Sequence, residues 1–194
     1  MRHEVEVRDG IGSRDGPRIG GVFHVYCLSK DARNIRFVDG KLVFDGGELK
    51  WEDEFHNKTP NTELDHILQT EFTGGAQITT WYVGLTQGSP TPAAGDTMSS
   101  HAGWTEYTTY SQANRQNFTG VEASQAVGNS ASPAVFTVNA GATTVGGAFL
   151  VSNNTIGGST GQLACIGAFS GGNRSPANGD QIVVTYTFSA ASTN

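Results

Sequence analysis

The stretch Leu49-Lys-Trp-Glu-Asp-Glu-Phe-His56 opens the segment that decides the fold. Its apolar residues alternate with charged residues, and a period of two is typical of a half-buried strand. The segment continues through 59–72, where apolar residues recur at helical spacing, and ends in Gln77–Leu85, which indicates a buried strand. A strand, a helix and a second strand therefore follow one another at this point of the chain.

The ends of the helix are marked by residues with well-defined local preferences. Thr59 is expected to cap the first turn, and Pro60 suits the first helical position because its missing N–H costs nothing there. Gly74-Gly75 is expected to end the helix. The spacing predicts one inward face made of Leu64, Ile67, Leu68 and Phe72.

Charge is distributed unevenly on either side of this segment. The chain has 194 residues and a net charge of −6, which argues against nucleic acid as a partner because phosphate binding needs a basic face. Only six Lys, Arg, Asp or Glu residues follow Phe72, namely Asp96, Glu106, Arg115, Glu122, Arg174 and Asp180. Such a surface is common in β-rich extracellular, fibre and virion proteins.

The sequence before residue 74 predicts two parts. Residues 1–21 are rich in glycine and charge, which favours an extended N-terminal arm or a disordered tail. Residues 22–73 predict a small α+β docking module, in which an antiparallel meander is closed off by the helix. Val22–Leu28 is its first strand, and Asp39-Gly40 is expected to form the two-residue turn of a hairpin.

Residues 74–194 predict an antiparallel β-sandwich of immunoglobulin-like or jelly-roll type. The chain as a whole is therefore expected to be mainly β. The predicted strands are short and separated by Gly, Asn, Ser and Pro, and they cover Ile78–Leu85, Trp104–Thr109, Gln116–Thr119, Ala134–Val138, Ala148–Val151, Leu163–Phe169 and Gln181–Phe188. Asp96–His101 is a candidate for one short helical turn.

Cys27 and Cys165 both lie in strand-like apolar runs, so we expect two buried free thiols. A long-range disulfide between them stays open at this point. No apolar run is long enough for a transmembrane helix, and the first residues lack the apolar segment of a signal peptide. The expectation is a protein made in the cytoplasm, without a membrane partner.

The sequence offers no converging set of catalytic residues, and we expect no enzyme, cofactor or metal site. The five histidines lack metal-ligand spacing, although His24 and His56 lie on neighbouring predicted strands. Glu52-Asp53-Glu54 is interpreted as a charged sheet edge, with Asp53 on the face of Trp51 and Phe55 and expected to cap or pair locally. The glycine-rich loop 171–180 holds one carboxylate, too few for a tight calcium site.

Several segments resemble a family of tailed-bacteriophage structural proteins. The resemblance covers roughly Gly20 to Ala191 and is carried by Trp51–Asn57, Leu64–Leu68, Ile78–Glu106, Asn129–Val138, Val145–Val151 and the ending Val183–Phe188. Members of this family are described as capsid-decorating, head-fibre or tail-associated proteins. The resemblance implies a virion component and supplies no catalytic residues.

The expected function is therefore non-enzymatic. The first hypothesis is a capsid decoration or cement protein, assembled in the host cytoplasm, that binds the major capsid protein lattice on the virion surface as a homo-oligomer, with a trimer favoured. The second is a tail-fibre or tail-adaptor subunit. The third is a carbohydrate-binding or hydrolytic module with a sugar-stacking platform built from Trp81, Tyr82, Trp104, Tyr107 and Tyr110.

Overall fold

The computed structural model describes residues 18–139 and 143–191. One helix, α1 (Asn61–Phe72), lies among thirteen strands in this part of the chain. The strands are β1 (Arg18–Leu28), β2 (Arg33–Val38), β3 (Lys41–Asp45), β4 (Leu49–His56), β5 (Trp81–Gln87), β6 (Thr105–Tyr107), β7 (Gln116–Phe118), β8 (Val121–Ala123), β9 (Ala126–Gly128), β10 (Ala134–Thr137), β11 (Val145–Val151), β12 (Leu163–Ala168) and β13 (Gln181–Ala191).

Two antiparallel sheets make up the body of the molecule. The first has the order β4-β1-β13-β9-β8, and β10 also pairs with β13. The second has the order β12-β11-β5-β6, and β7 also pairs with β5. The prediction of a mainly β chain, with an N-terminal α+β portion followed by an antiparallel β-sandwich, is confirmed.

The main hydrophobic core combines buried residues from both sheets. Phe23 and Tyr186 of the first sheet lie with ring centroids 4.3 Å apart. They belong to the same buried cluster as Val83, Leu85 and Leu150 of the second sheet. Burial of this apolar area is the main source of stability, because each fully buried large side chain contributes about 1.5–3 kcal/mol.

The second sheet is apolar on its other face as well. Phe149 and Val151 of β11 pack there against Met98 and Trp104, which come from the long β5–β6 connection. A Cβ atom at Gly84 would overlap the ring of Phe149, so glycine is required on β5 for this close approach. The second sheet is therefore covered on both sides.

The β2–β3 hairpin covers the outer face of the first sheet. Its turn residues Asp39 and Gly40 have φ values of 49° and 75°, and Val38 pairs with Lys41. Two positive φ values in a two-residue loop define the predicted type I′ turn, which is confirmed. Phe37 and Leu42 pack against a small cluster that contains Val183 of β13.

The first strand begins at Arg18 rather than at Val22, so the last residues of the predicted arm belong to β1. Residues 1–17 lie outside the described residues. β1 pairs with β13 over its whole length, from Arg18 opposite Ala191 to Leu28 opposite Gln181. The predicted boundary after residue 73 stays a prediction, but strand pairing crosses it.

Helix α1 differs from the prediction at its start and in its inward face. Pro60, not Thr59, occupies the cap position, and the Thr59 hydroxyl accepts a hydrogen bond from the Asn57 amide at 3.1 Å. The end is as predicted, since Gly74 has φ +73° and the Gly75 N–H donates to the Gln69 carbonyl at 2.9 Å. Three members of the predicted inward face are exposed, namely Leu64 (37%), Leu68 (56%) and Phe72 (77%).

Two local features of residues 74–191 differ from the sequence analysis, one of them an element that was missed. The β8–β9 hairpin was not predicted, because its strands have three residues each and Val121–Ala123 is exposed throughout. Asp96–His101 forms a tight turn closed by pairing of Thr97 with Ser100 and not a helical turn. The Asp96 carboxylate accepts hydrogen bonds from the Ala93 N–H and the Trp104 indole N–H, which favours the turn over a helix.

Candidate functional site

The six charged residues after Phe72 are the candidate acids and bases of the β-sandwich. Arg115 is 2% exposed and donates two hydrogen bonds to the Glu106 carboxylate, at 2.8 and 2.7 Å. It also donates to the carbonyl oxygens of Asn153 and Gly158. The carboxylate and the guanidinium are thus engaged with each other and with the loop between β11 and β12. The pair therefore holds this loop in place and does not provide a free acid or base.

Asp180 is a second carboxylate used for structure. It is 3% exposed and accepts hydrogen bonds from the Lys50 ammonium at 2.7 Å and from the Ala177 N–H at 2.7 Å. Burial, followed by the charge of Asp180, raises the pKa of the adjacent Cys27 thiol to about 12. This cluster ties β4 to the loop that precedes β13, and its thiol is protonated at neutral pH.

Asp53 lies on the same face as Trp51 and Phe55, as expected, and is buried, at 8% exposure. The expected local pairing is wrong, because its partners are more than a hundred residues away. Its carboxylate accepts hydrogen bonds from the Ser170 N–H, the Ser170 hydroxyl and the Gly171 N–H, all at 2.8–2.9 Å. The Nη2 atom of Arg174, on the same loop as Ser170 and Gly171, lies 3.7 Å from the Oδ2 atom of Asp53. Asp53 therefore anchors the segment after β12 to the edge strand β4.

These contacts use five of the six charged residues that follow Phe72. Asp96 accepts a hydrogen bond within its own turn, and Glu106 pairs with Arg115. Asp180 and Arg174 each pair with a charged residue of β4. Glu122 alone is exposed. The carboxylates of the β-sandwich thus hold loops in place, and no pair of them converges on a shared cleft within the described residues.

Two of the histidines, His24 and His101, make specific contacts. His24 lies opposite Glu54 across the β1–β4 pair, with 3.5 Å between Nδ1 and Oε2, rather than opposite His56. His101 stacks on Trp104, with ring centroids 3.8 Å apart. No group of three or more His, Cys, Asp or Glu residues has the arrangement of a metal site in the described part of the chain. Cys27 and Cys165 are both buried and free, as predicted.

The charges before residue 73 behave differently, because they lie on the surface. From Lys30 to Glu71, every Lys, Arg, Asp and Glu except Asp53 and Glu63 is exposed. Glu52 and Glu54 point to solvent on the edge strand β4, as predicted. With His24 they line an open polar groove of about 490 Å³, so charge is presented to solvent here.

A row of exposed apolar side chains lies on helix α1. Leu64, Leu68 and Phe72 are spaced four residues apart and form one stripe on α1, which we call the helical stripe. Sequence reasoning named these residues but assigned them to the core, because amphipathic spacing does not show which face meets the sheet. Their exposure makes the stripe a candidate contact surface.

The predicted sugar-stacking platform is not assembled. Trp104, Tyr107 and Tyr110 are 7%, 0% and 3% exposed, so their rings are core residues. Trp81 and Tyr82 are half-buried and successive on β5, which directs them to opposite faces of the sheet. The five aromatic residues therefore do not present a common surface to a sugar.

Sequence reasoning missed the Glu106–Arg115 pair and the buried carboxylate of Glu63. For the Glu106–Arg115 pair, the sequence signal was an arginine in a segment with very few charged residues. Glu63 looked like an ordinary acidic residue of a first helical turn.

Comparisons with known proteins add nothing to the geometry. No protein-family model matches the chain, and no curated protein and no solved structure shows significant similarity to it. Among the described residues, α1 is too short and too polar to cross a membrane.

Proposed function

We propose that this chain is a non-enzymatic virion structural protein that decorates a bacteriophage capsid. It binds the outer surface of the major capsid protein lattice, as a homo-oligomer with a trimer favoured, and stabilises the head. The observation that carries the proposal is the unequal use of charge. From Lys30 to Glu71 the charged residues other than Asp53 and Glu63 are exposed, whereas those after Phe72 are used almost entirely to hold loops in place.

Two features of the described surface suit a protein that docks on a shell. The exposed charged residues and the helical stripe supply polar and apolar groups of the kind found in protein interfaces. The rest of the β-sandwich is stiff and nearly uncharged, and it would face outward. The resemblance to tailed-phage structural proteins supports the same assignment, and clustering around a symmetry axis multiplies weak contacts.

The assignment is tested on heads assembled from the major capsid protein encoded with this chain. Purified protein is added, and copy number and position are measured by electron cryomicroscopy. Decoration predicts hundreds of copies on the shell and heads that resist heating better than bare heads. A dozen copies or fewer at the tail would replace the proposal with the tail-adaptor hypothesis, and absence from the particle would refute both.

The contact surface is tested with a pair of substitutions on α1. Leu68→Ser combined with Phe72→Ser changes two exposed residues, so the fold should remain stable within about 0.5 kcal/mol per substitution. Loss of at least about tenfold in affinity for heads is expected. The matched control, Val121→Ser, also changes an exposed apolar residue, but on β8, and should leave the affinity unchanged.

A further inference from the structure

A pocket of about 220 Å³ lies between α1 and strands of both sheets. Glu63 and Ile67 line it from the helix, and the rings of Trp81, Phe118, Tyr186 and Phe188 line it from the strands. Trp81, Phe118 and Phe188 are half-buried, whereas Tyr186 is 1% exposed. The pocket is thus an aromatic-walled opening with a buried floor.

Glu63 is the unusual residue of this pocket. It is 6% exposed, and its Oε2 atom has no hydrogen-bond partner. The salt bridges among the described residues do not include it. Buried carboxylates in proteins are normally paired or hydrogen-bonded, because removing a charge from water is costly. The hydroxyl of Tyr186, on the floor of the same pocket, also lacks a partner.

The groups around Glu63 do not supply a positive charge. Burial raises the pKa of Tyr186 above its ordinary value and that of Cys165 to about 12, so both are neutral at pH 7. The side-chain amide of Gln162 is neutral as well. Burial raises the pKa of Glu63 itself to about 7, and the Gln162 amide opposes that rise. When Glu63 is ionised, the pocket therefore holds a negative charge without a counter-charge.

We propose that this pocket binds an organic ammonium group. The carboxylate of Glu63 supplies the opposite charge, and the aromatic rings supply the electron-rich faces to which ammonium groups are attracted. The pocket is larger than a cavity of about 150 Å³ that holds benzene, so a group the size of trimethylammonium fits. A sugar does not suit it, because the walls are mostly apolar and offer few polar partners.

The proposal is tested with choline and its uncharged isostere 3,3-dimethylbutan-1-ol, which differ in the positive nitrogen. Calorimetric titration of the full chain at low ionic strength should show choline binding about tenfold more tightly than the isostere. Glu63→Gln should abolish that preference. Glu71→Gln removes the same charge from an exposed position of the same helix and should preserve the preference.

A second pair of variants keeps the test informative if Glu63→Gln does not fold. Trp81→Leu removes a ring from the pocket wall and should weaken choline binding about tenfold. Trp51→Leu removes a half-buried ring elsewhere and should have no effect. Equal binding of choline and the isostere, or no binding of either, would overturn the proposal.

The source of the ammonium group is resolved in the same titrations. Ammonium groups occur on free quaternary amines and on lysine side chains, so Nα-acetyl-lysine methylamide is titrated in parallel with choline. Tighter binding of choline identifies a free quaternary ammonium compound as the source, and tighter binding of the lysine derivative identifies a lysine side chain. Dependence of that binding on Glu63 supports the site, and independence from Glu63 contradicts it.

Discussion

Arg115 shows how a single charged residue becomes part of a core. Its guanidinium is buried, yet two carboxylate oxygens and two carbonyl oxygens accept its hydrogen bonds. Its charge also lies 5.3 Å from the centroid of the Phe149 ring. A buried arginine is tolerated in such a position because its donors and its charge are satisfied.

Removal of one partner from this pair should be costly. Arg115→Met leaves Glu106 buried without its counter-charge and is expected to lower the free energy of unfolding by about 3–5 kcal/mol. The measurement is denaturant unfolding. Arg174→Met is the matched control, because Asp53 keeps its three hydrogen bonds from Ser170 and Gly171, and it should cost about 1 kcal/mol or less. Equal costs would contradict the assigned role of Arg115.

The helix α1 is held against the strands by a face that includes an acidic residue. Glu63 and Ile67 point into the aromatic pocket, and the helical stripe points away from it. Burial raises the pKa of Glu63 from 4.5 to about 7, so packing of this helix is easier when the carboxyl group is protonated. The attachment of this element therefore depends on pH.

The sign of the dependence follows from proton binding. Between pH 4.5 and 7 the folded chain holds the Glu63 proton more tightly than the unfolded chain, so stability falls as pH rises through this window. The loss is at most about 3 kcal/mol and is complete above pH 7. The measurement is the free energy of unfolding of Glu63→Gln and of the unmodified protein from pH 4 to 8.5. The difference between the two curves gives the pH-dependent contribution of Glu63.

Glu71→Gln is the control for this measurement, since Glu71 is an exposed carboxylate on the same helix. Its difference from the unmodified protein should stay nearly constant with pH. A pH-independent difference for Glu63→Gln as well would show that Glu63 titrates normally in the folded chain.

At the scale of the whole molecule, the two ends of the described chain lie side by side. β1 and β13 pair antiparallel over eleven residues of each strand in the first sheet, and their side chains Phe23 and Tyr186 form part of the main core. The N-terminal portion and the β-sandwich therefore share one sheet and one core. This arrangement couples their stabilities.

We expect the described chain to unfold in one cooperative transition. Tryptophan fluorescence reports Trp51, Trp81 and Trp104, which lie in different parts of the molecule, and far-ultraviolet circular dichroism reports the strands. The two signals should change at the same denaturant concentration. A fragment of residues 74–194 should fail to fold, because β13 would lose its longest pairing, the one with β1, and keep only the shorter pairings with β9 and β10. Two separate transitions, or a folded fragment, would contradict the coupling.

Local patterns predicted most of the strands and the hairpin turn. Alternation over 49–56 and the Asp39-Gly40 dipeptide act through neighbouring residues, so they can be interpreted without the tertiary structure. The inward face of α1 was wrong because Leu64 and Ile67 belong to overlapping stripes, and only packing selects one of them. The exposed β8–β9 hairpin lacked an apolar pattern altogether.

The candidate sites were less predictable than the fold. Asp53 accepts its hydrogen bonds from Ser170 and Gly171, more than a hundred residues away, so only the packed sheets bring them together. Arg115 is nine residues from Glu106, but it follows β6 in an irregular segment where no local pattern indicates the pair. An acidic residue in the first turn of a helix gave no sign that it would be buried.

The sequence by itself determined a mainly β chain, the order of most of its elements and the concentration of charge before residue 73. These properties depend on composition and on contacts between near neighbours. The tertiary structure decided which charges became structural, which face of α1 met the sheets, and that β1 joined β13. Each of those outcomes depends on contacts between residues far apart in the chain. Such contacts form, and stabilise the chain, only when the two sheets pack together.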